Sequence, residues 1–281
     1  MNDYLALTKP RITWLILMST GVGYFFGLKN GWQGWASLIH TIVGTGLIAS
    51  GTSALNQWSE RVSDCKMRRT AQRPLPSGRL EPTRALIFST GLAIAGFLEL
   101  SVFVNLLSGL LGLFTLASYL FLYTPLKTRT HWCTFIGAIP GALPPLLGWA
   151  AARNHVGIEA WTLFGILFFW QFPHFHAIAT MYREDYGRAR IRMLPVVEPD
   201  GRSTARQIVG YTVGLVVISL LPVLLGLSGW VYLAGAVLLG AWFLHASLMT
   251  ARQMTQPQAR RLLKVSVIYL PLLLGLMVLN R

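Results

Sequence analysis

The sequence predicts an all-α, polytopic membrane protein with nine transmembrane helices. Three observations lead there. Hydrophobic residues fill 53% of the 281 positions and charged residues only 12%, against about 25% charged in a soluble domain. The apolar residues gather into runs of spanning length, which is about 20 residues. Of the 24 lysines and arginines, all but Lys29, Arg153 and Arg281 fall on alternate inter-span segments. That asymmetry marks the cytoplasmic side of a membrane protein.

The expected spans cover about residues 12–28, 36–58, 84–103, 106–124, 134–152, 160–182, 208–227, 229–249 and 262–280. The first opens on Thr8-Lys9-Pro10, read as a cap followed by a proline in the first helical position. The second ends in Asn56-x-x-x-Glu60-x-x-x-Asp64. The third and fourth divide near Asn105. In the fifth, Pro140, Pro144 and Pro145 are expected to break the helix, and Gly137 and Gly141 to allow close contact. The sixth carries His174 and His176, and the seventh and eighth divide near Gly229. The basic bias places the N-terminus in the cytoplasm and the C-terminus outside.

No cleavable signal peptide is expected, because the first apolar run leads into no polar mature domain. Cys65 and Cys133 both map to the cytoplasmic side and are expected to stay unbridged. The net charge of +14 does not imply nucleic-acid binding, because the basic residues form short islands between apolar runs. Residues 1–281 read as one domain. The second and sixth spans each run into an acidic-then-basic segment, four spans apart. This pattern suggests two four-span halves plus a ninth helix, with both islands facing one cytoplasmic cavity.

The chemistry concentrates in those islands. Asn56, Glu60 and Asp64 are spaced four apart, so on a helix they line one face. A basic run follows, Lys66-Met67-Arg68-Arg69-Thr70-Ala71-Gln72-Arg73-Pro74-Leu75-Pro76. Hard oxygen ligands suit Mg²⁺ with a substrate phosphate, and arginine suits the phosphate itself. Carboxylates alone would repel a diphosphate, so a bridging metal reconciles the two. The second island holds Glu184, Asp185 and Arg188. Carboxylates in or beside a membrane are costly and need a partner; salt bridges to nearby arginines are the plainer alternative. Tyr123-Thr124-Pro125-Leu126-Lys127 adds a hydroxyl and an ammonium.

These residues resemble the UbiA superfamily of intramembrane prenyltransferases. The first aspartate-rich motif of that family is similar to Asn56-x-x-x-Glu60-Arg61-x-x-Asp64 with Arg69-Thr70-x-x-Arg73-Pro74-Leu75-Pro76-Ser77-Gly78. Leu7-Thr8-Lys9-Pro10-Arg11, Tyr123 to Lys127, Gly141 to Pro145, Pro173-His174-Phe175 and Met193-Leu194-Pro195-Val196 agree too, the last two resembling its heme-farnesylating branch. The resemblance implies a UbiA-like helical bundle in the bacterial inner membrane. It implies transfer of farnesyl from farnesyl diphosphate to a vinyl group of heme B, with membrane lipid as surroundings. Downstream heme-modifying or oxidase-assembly proteins would be possible partners. It also implies that Asn56, Glu60, Asp64 and Asp185 hold Mg²⁺, with Glu184 beside them. Arg69, Arg73, Lys127 and Arg188 would hold the diphosphate, and Asp64, Asp185 and Lys127 would be catalytic. The chain departs from the pattern at Glu184-Asp185, where two aspartates are common, at Arg190 in a glycine place, and at Cys133 in place of asparagine.

His174 and His176 point about 200° apart on a regular helix, a poor chelate for one metal. One imidazole is a reasonable axial ligand to heme iron, and His174 is preferred because it lies in the family motif. His40, His131, His155 and His245 are given no role. Two other functions stay open: a prenyltransferase acting on a quinone or chlorin precursor, and a carrier for a phosphorylated metabolite.

Overall fold

The computed structural model describes residues 3–28, 35–198 and 200–281. Lys29 lies outside them. Among the described residues there is no strand. The helices in order are α1 (Asp3–Leu7), α2 (Pro10–Gly27), α3 (Trp35–Asp64), α4 (Pro82–Phe103) and α5 (Leu106–Ala117). A π-helical turn, Ser118–Tyr123, leads to α6 (Thr124–Leu126). Then come α7 (Cys133–Arg153), α8 (Ile158–Met181), α9 (Arg183–Arg188), α10 (Leu194–Val197), α11 (Arg202–Ile218), α12 (Leu221–Leu224), α13 (Trp230–Gln253) and α14 (Gln256–Leu279).

Every expected span lies mainly on helix, the seventh being interrupted at 219–220 and ending in turn at 225–227. Seven segments are long and apolar enough to cross a membrane: Trp35–Asp64, Pro82–Phe103, Leu106–Leu126, Cys133–Arg153, Arg202–Leu224, Trp230–Gln253 and Gln256–Leu279. The expected first and sixth spans form α2 and α8 but are not among the seven. Their composition explains the difference. Thr13, Trp14, Ser19, Thr20 and Tyr24 dilute α2, and Trp161, Trp170, Gln171, Pro173, His174 and His176 dilute α8. This is a multi-pass membrane protein. Large apolar side chains such as Trp14, Ile87, Val102, Phe121 and Leu238 stand exposed on its helices, a pattern a soluble surface avoids.

Three expectations need correction. The prolines do not break the fifth span: α7 is continuous from Cys133 to Arg153. Proline interrupts the intrahelical hydrogen bonding, but membrane helices tolerate it where neighbouring groups re-satisfy the backbone. Thr8 is not the cap of α2. Lys9 holds that position, with no side-chain cap bond, and the Thr8 hydroxyl turns back to the Leu5 carbonyl at 2.8 Å. Finally, α11 and α14 begin about six residues early, at Arg202 and Gln256. Arg202, Arg206, Arg260 and Arg261 therefore ride on helices, as arginine can while its head reaches the interface.

The chain divides into two compact units. The first comprises Met1–Leu126, Leu143–Val156 and Arg188–Arg190; the second comprises Lys127–Ala142, Gly157–Gly187 and Ile191–Arg281. In the first unit α3 and α4 approach at Gly51 and Gly96. A Cβ at Gly51 would meet the Ala93 backbone nitrogen at 2.7 Å, so only glycine fits between these axes. Ile48, Leu55, Ala93, Leu100, Leu116 and Leu147 form the core beside that contact. A second cluster, Leu7, Ala54, Leu75, Leu80 and Ala85, fastens α1 and the segment after α3 to the helix pair.

In the second unit α8 packs against α11 and α14. The Phe172 and Tyr211 rings stack at 3.6 Å with 4° between planes. Gln171 donates to the Ala138 carbonyl at 3.0 Å, close against Gly141. Glu198 closes the N-terminus of α11. It accepts from the Ser203 and Thr204 backbone nitrogens at 2.6 and 2.9 Å and from the Thr204 hydroxyl at 3.0 Å. A carboxylate there complements the exposed N–H groups of the first turn. Burial alone would raise its pKa. The hydrogen bonds from Ser203 and Thr204 outweigh that and hold it down to about 2.

Candidate active site

The first island is built by the last turns of α3. Asn56, Glu60 and Asp64 all lie on this unbroken helix, as their spacing requires. Asn56 and Asp64 are each 1% exposed, whereas Glu60 is half-buried. The chain then folds back through tight turns: the Thr70 hydroxyl donates to the Asp64 carbonyl at 2.9 Å. This return sets Arg73 Nη1 2.8 Å from Asp64 Oδ2, which joins one expected ligand to one expected phosphate-binding residue. Ser77 Oγ donates to the Arg73 carbonyl at 2.7 Å.

Asn56 is held from two sides. Its Nδ2 donates to the Thr124 hydroxyl at 3.3 Å, and its Oδ1 accepts from Lys9 Nζ at 3.0 Å. The amide orientation follows from chemistry, because an ammonium donates only and must face the amide oxygen. Thr124 is positioned by the π-helical turn: its hydroxyl donates to the Tyr119 carbonyl, five residues back, at 2.9 Å. Gln57, also 1% exposed, donates to the Leu7 carbonyl at 2.9 Å. Adjacent side chains of α3 thus grip both ends of the α1–α2 junction.

The second island sits on α9, with Asp185 buried and Glu184 exposed. The Lys127 carbonyl accepts from the Arg192 backbone nitrogen at 2.7 Å. Arg188 is grouped with the first unit, and Lys127, Glu184, Asp185 and His174 with the second. Arg190 takes φ 58. The arginine in the glycine place therefore keeps the left-handed backbone that glycine adopts without cost.

The two histidines of α8 meet different helices. His176 is 0% exposed and donates through Nε2 to Gln207 Oε1 at 2.9 Å. His174 is half-buried. Its Nδ1 lies 2.8 Å from Ser266 Oγ, and the Ser266 hydroxyl proton goes to the Leu263 carbonyl at 2.8 Å. Nδ1 of His174 must then carry the proton and Nε2 the lone pair. Trp170 stacks on the same imidazole at 4.6 Å and donates to the Ser266 carbonyl at 2.8 Å.

The donor set of the first island fits a hard cation. It offers amide and carboxylate oxygens, and two buried ones already face positive charge, Asn56 toward Lys9 and Asp64 toward Arg73. Among the described residues no three His, Cys, Asp or Glu side chains form a ready-made metal cage. Mg²⁺ is commonly held by one or two carboxylates together with substrate phosphates.

Residues 16–268 match the model of the UbiA prenyltransferase family. The chain belongs to the UbiA prenyltransferase family. Among its UbiA relatives, a protoheme IX farnesyltransferase of Solibacter usitatus is 62% identical, covering 100% of this chain and 99% of that protein. One of Koribacter versatilis is 48% identical over 100% of this chain and 94% of the relative. Among solved structures, one from a study of digeranylgeranylglyceryl phosphate synthase has a TM-score of 0.82 at 19% identity, covering 99% of this chain and 97% of the other. A UbiA homolog from Archaeoglobus fulgidus bound to GPP and Mg²⁺ has a TM-score of 0.68 at 14% identity, covering 98% and 99%. At these identities the structures establish the UbiA fold.

Sequence reading missed three residues. Lys9 reads in sequence as part of a cap, although a lysine amid a family motif is a signal. Thr124 lies in the 123–127 segment, but its own role depends on the π turn. Glu99 is a carboxylate inside an apolar run, and it pairs with His40 Nδ1 at 2.7 Å. That pair answers the cost of an acid inside a membrane-spanning helix and gives His40 the role it lacked.

Proposed function

We infer that this protein transfers the farnesyl group of farnesyl diphosphate to a vinyl group of heme B, giving heme O and diphosphate. One observation carries the reading: 62% identity along the whole chain to a protein named protoheme IX farnesyltransferase. The reaction balances as follows. The C1–oxygen bond of farnesyl diphosphate breaks and its electrons leave with diphosphate. The vinyl carbon bonds to C1, and water adds to the neighbouring carbon with loss of a proton.

Asn56, Glu60 and Asp64, with Glu184 and Asp185, are the residues that would hold Mg²⁺. When bound, it supplies positive charge to the leaving diphosphate. Arg69, Arg73, Lys127 and Arg188 neutralise the diphosphate oxygens. Asp64 orients Arg73 by their ion pair, a role supported by the 2.8 Å contact. His174 is the group suited to the heme iron. Its Nε2 carries the lone pair, and its Nδ1–H is tied to Ser266, the arrangement typical of metal-binding imidazoles. Aromatic faces can stabilise an allylic cation.

We place all nine helices of spanning position in the bacterial inner membrane, N-terminus cytoplasmic and C-terminus outside, and read residues 1–281 as one domain. The basic-residue asymmetry supports this. A cysteine at Ser77 or Asp200 should be labelled from the cytoplasmic side only. Mass analysis of hemes from membranes with and without the protein tests the reaction. Farnesylated heme should appear only with it. A prenylated quinone in its place would move the chain to the other acceptor class.

A further inference from the structure

The helix junction at Lys9 is strained. Lys9 adopts φ 48 and ψ 62 directly before Pro10. A non-glycine residue in this region costs about 1–3 kcal/mol, and a residue preceding proline avoids helical conformations. The conformation nevertheless holds, with the Lys9 carbonyl accepting from Ile12 and Thr13 at 2.9 and 3.1 Å. Its effect is to send the Lys9 side chain to α3, where the ammonium meets Asn56 Oδ1 at 3.0 Å. Asn56 cannot turn this oxygen away without giving up its bond to Thr124. A fixed, buried amide oxygen is thus presented to a cation carried by a strained turn.

We propose that Lys9 is a positioning residue that occupies the cation place on Asn56 while diphosphate is absent, and shifts to the diphosphate oxygens when metal and diphosphate bind together. This rests on the reading of Asn56 as a metal ligand. An ammonium at the amide oxygen repels a divalent cation arriving alone. The same ammonium attracts a diphosphate arriving with its metal. Lys9 would therefore couple the two occupancies, so that metal is retained chiefly when there is a leaving group to activate.

The test measures Mn²⁺ binding by electron paramagnetic resonance on the purified full chain, with Mn²⁺ alone and with Mn²⁺ plus inorganic diphosphate. Lys9→Met should bind Mn²⁺ alone on the order of tenfold more tightly, and Mn²⁺ with diphosphate on the order of tenfold more weakly. Lys9→Arg keeps the charge and should restore the second affinity. Lys9→Gln serves if Lys9→Met does not fold. A structural role alone would weaken both affinities in parallel with a lower unfolding temperature, and that result overturns the proposal, as does an unchanged affinity for Mn²⁺ alone. Wild-type protein that binds no Mn²⁺ even with diphosphate overturns the metal reading and the Lys9 role together. Wild-type binding with unaltered variants overturns the Lys9 role only.

Discussion

Breaking the Asp64–Arg73 pair from either end should give unequal results. The Asp64 side chain is 1% exposed and that of Arg73 30%, at 2.8 Å. In Arg73→Met a buried carboxylate loses its counter-charge. Removal of one partner from a buried pair costs about 3–5 kcal/mol, and the partial exposure of Arg73 puts the expected value near the lower limit, about 3 kcal/mol. In Asp64→Asn the guanidinium can hydrate instead, at a cost of about 1 kcal/mol. At roughly 2–4 °C per kcal/mol for a chain of this size, Arg73→Met should unfold roughly 6–12 °C early in detergent and Asp64→Asn only a few degrees early. The double variant should recover part of the loss, with a coupling of about 2 kcal/mol. Thermal unfolding of the four proteins measures this. Equal losses in the two single variants, or strict additivity, would refute the claim that Asp64 is buried against one dominant counter-charge.

Four further outcomes are expected. Asp185→Ala should abolish farnesyl transfer while membrane insertion stays intact, and near-normal turnover would exclude Asp185 from the diphosphate site. His174→Ala should weaken heme absorbance of the purified protein, whereas His176→Ala should chiefly lower the unfolding temperature; the reverse pattern would move the heme ligand to His176. Arg190→Gly should leave stability unchanged or raise it by about 1 kcal/mol, and a marked loss in thermal unfolding would mean that the guanidinium outweighs the backbone strain. Glu198 has its carboxyl lowered from 4.5 to about 2, so its stabilisation is complete above pH 4.5 and fades as pH falls toward 2. Glu198→Gln should flatten that part of the stability curve, and an unchanged acid limb would assign it to other groups.

The helices were legible because membrane insertion imposes length and hydropathy on sequence directly. The face shared by Asn56, Glu60 and Asp64 was legible because helical spacing is periodic. What stayed hidden depended on contacts between distant segments. Nothing near Thr8 announces that Lys9 reaches Asn56, 47 positions away, and capping preferences pointed to the wrong residue. The prolines of α7 misled for a related reason: their effect in water is to break a helix, and in a packed membrane helix neighbours decide the outcome. Glu198 and Ser266 act through hydrogen bonds to neighbours that no local pattern encodes.

The π-helical turn at Ser118–Tyr123 has a consequence for how this segment can change in length. A π turn holds one residue more than the α-helical path it replaces, so it behaves as an insertion absorbed within a continuous helix. Deleting one residue there would let the helix relax to the ordinary winding. Everything downstream would then keep its facing, whereas one residue lost from an ordinary helical stretch turns all that follows by about 100°. Thr124 would still face the Asn56 amide. A single-residue gap within this turn should therefore be better tolerated than a gap of the same size in an ordinary helical stretch.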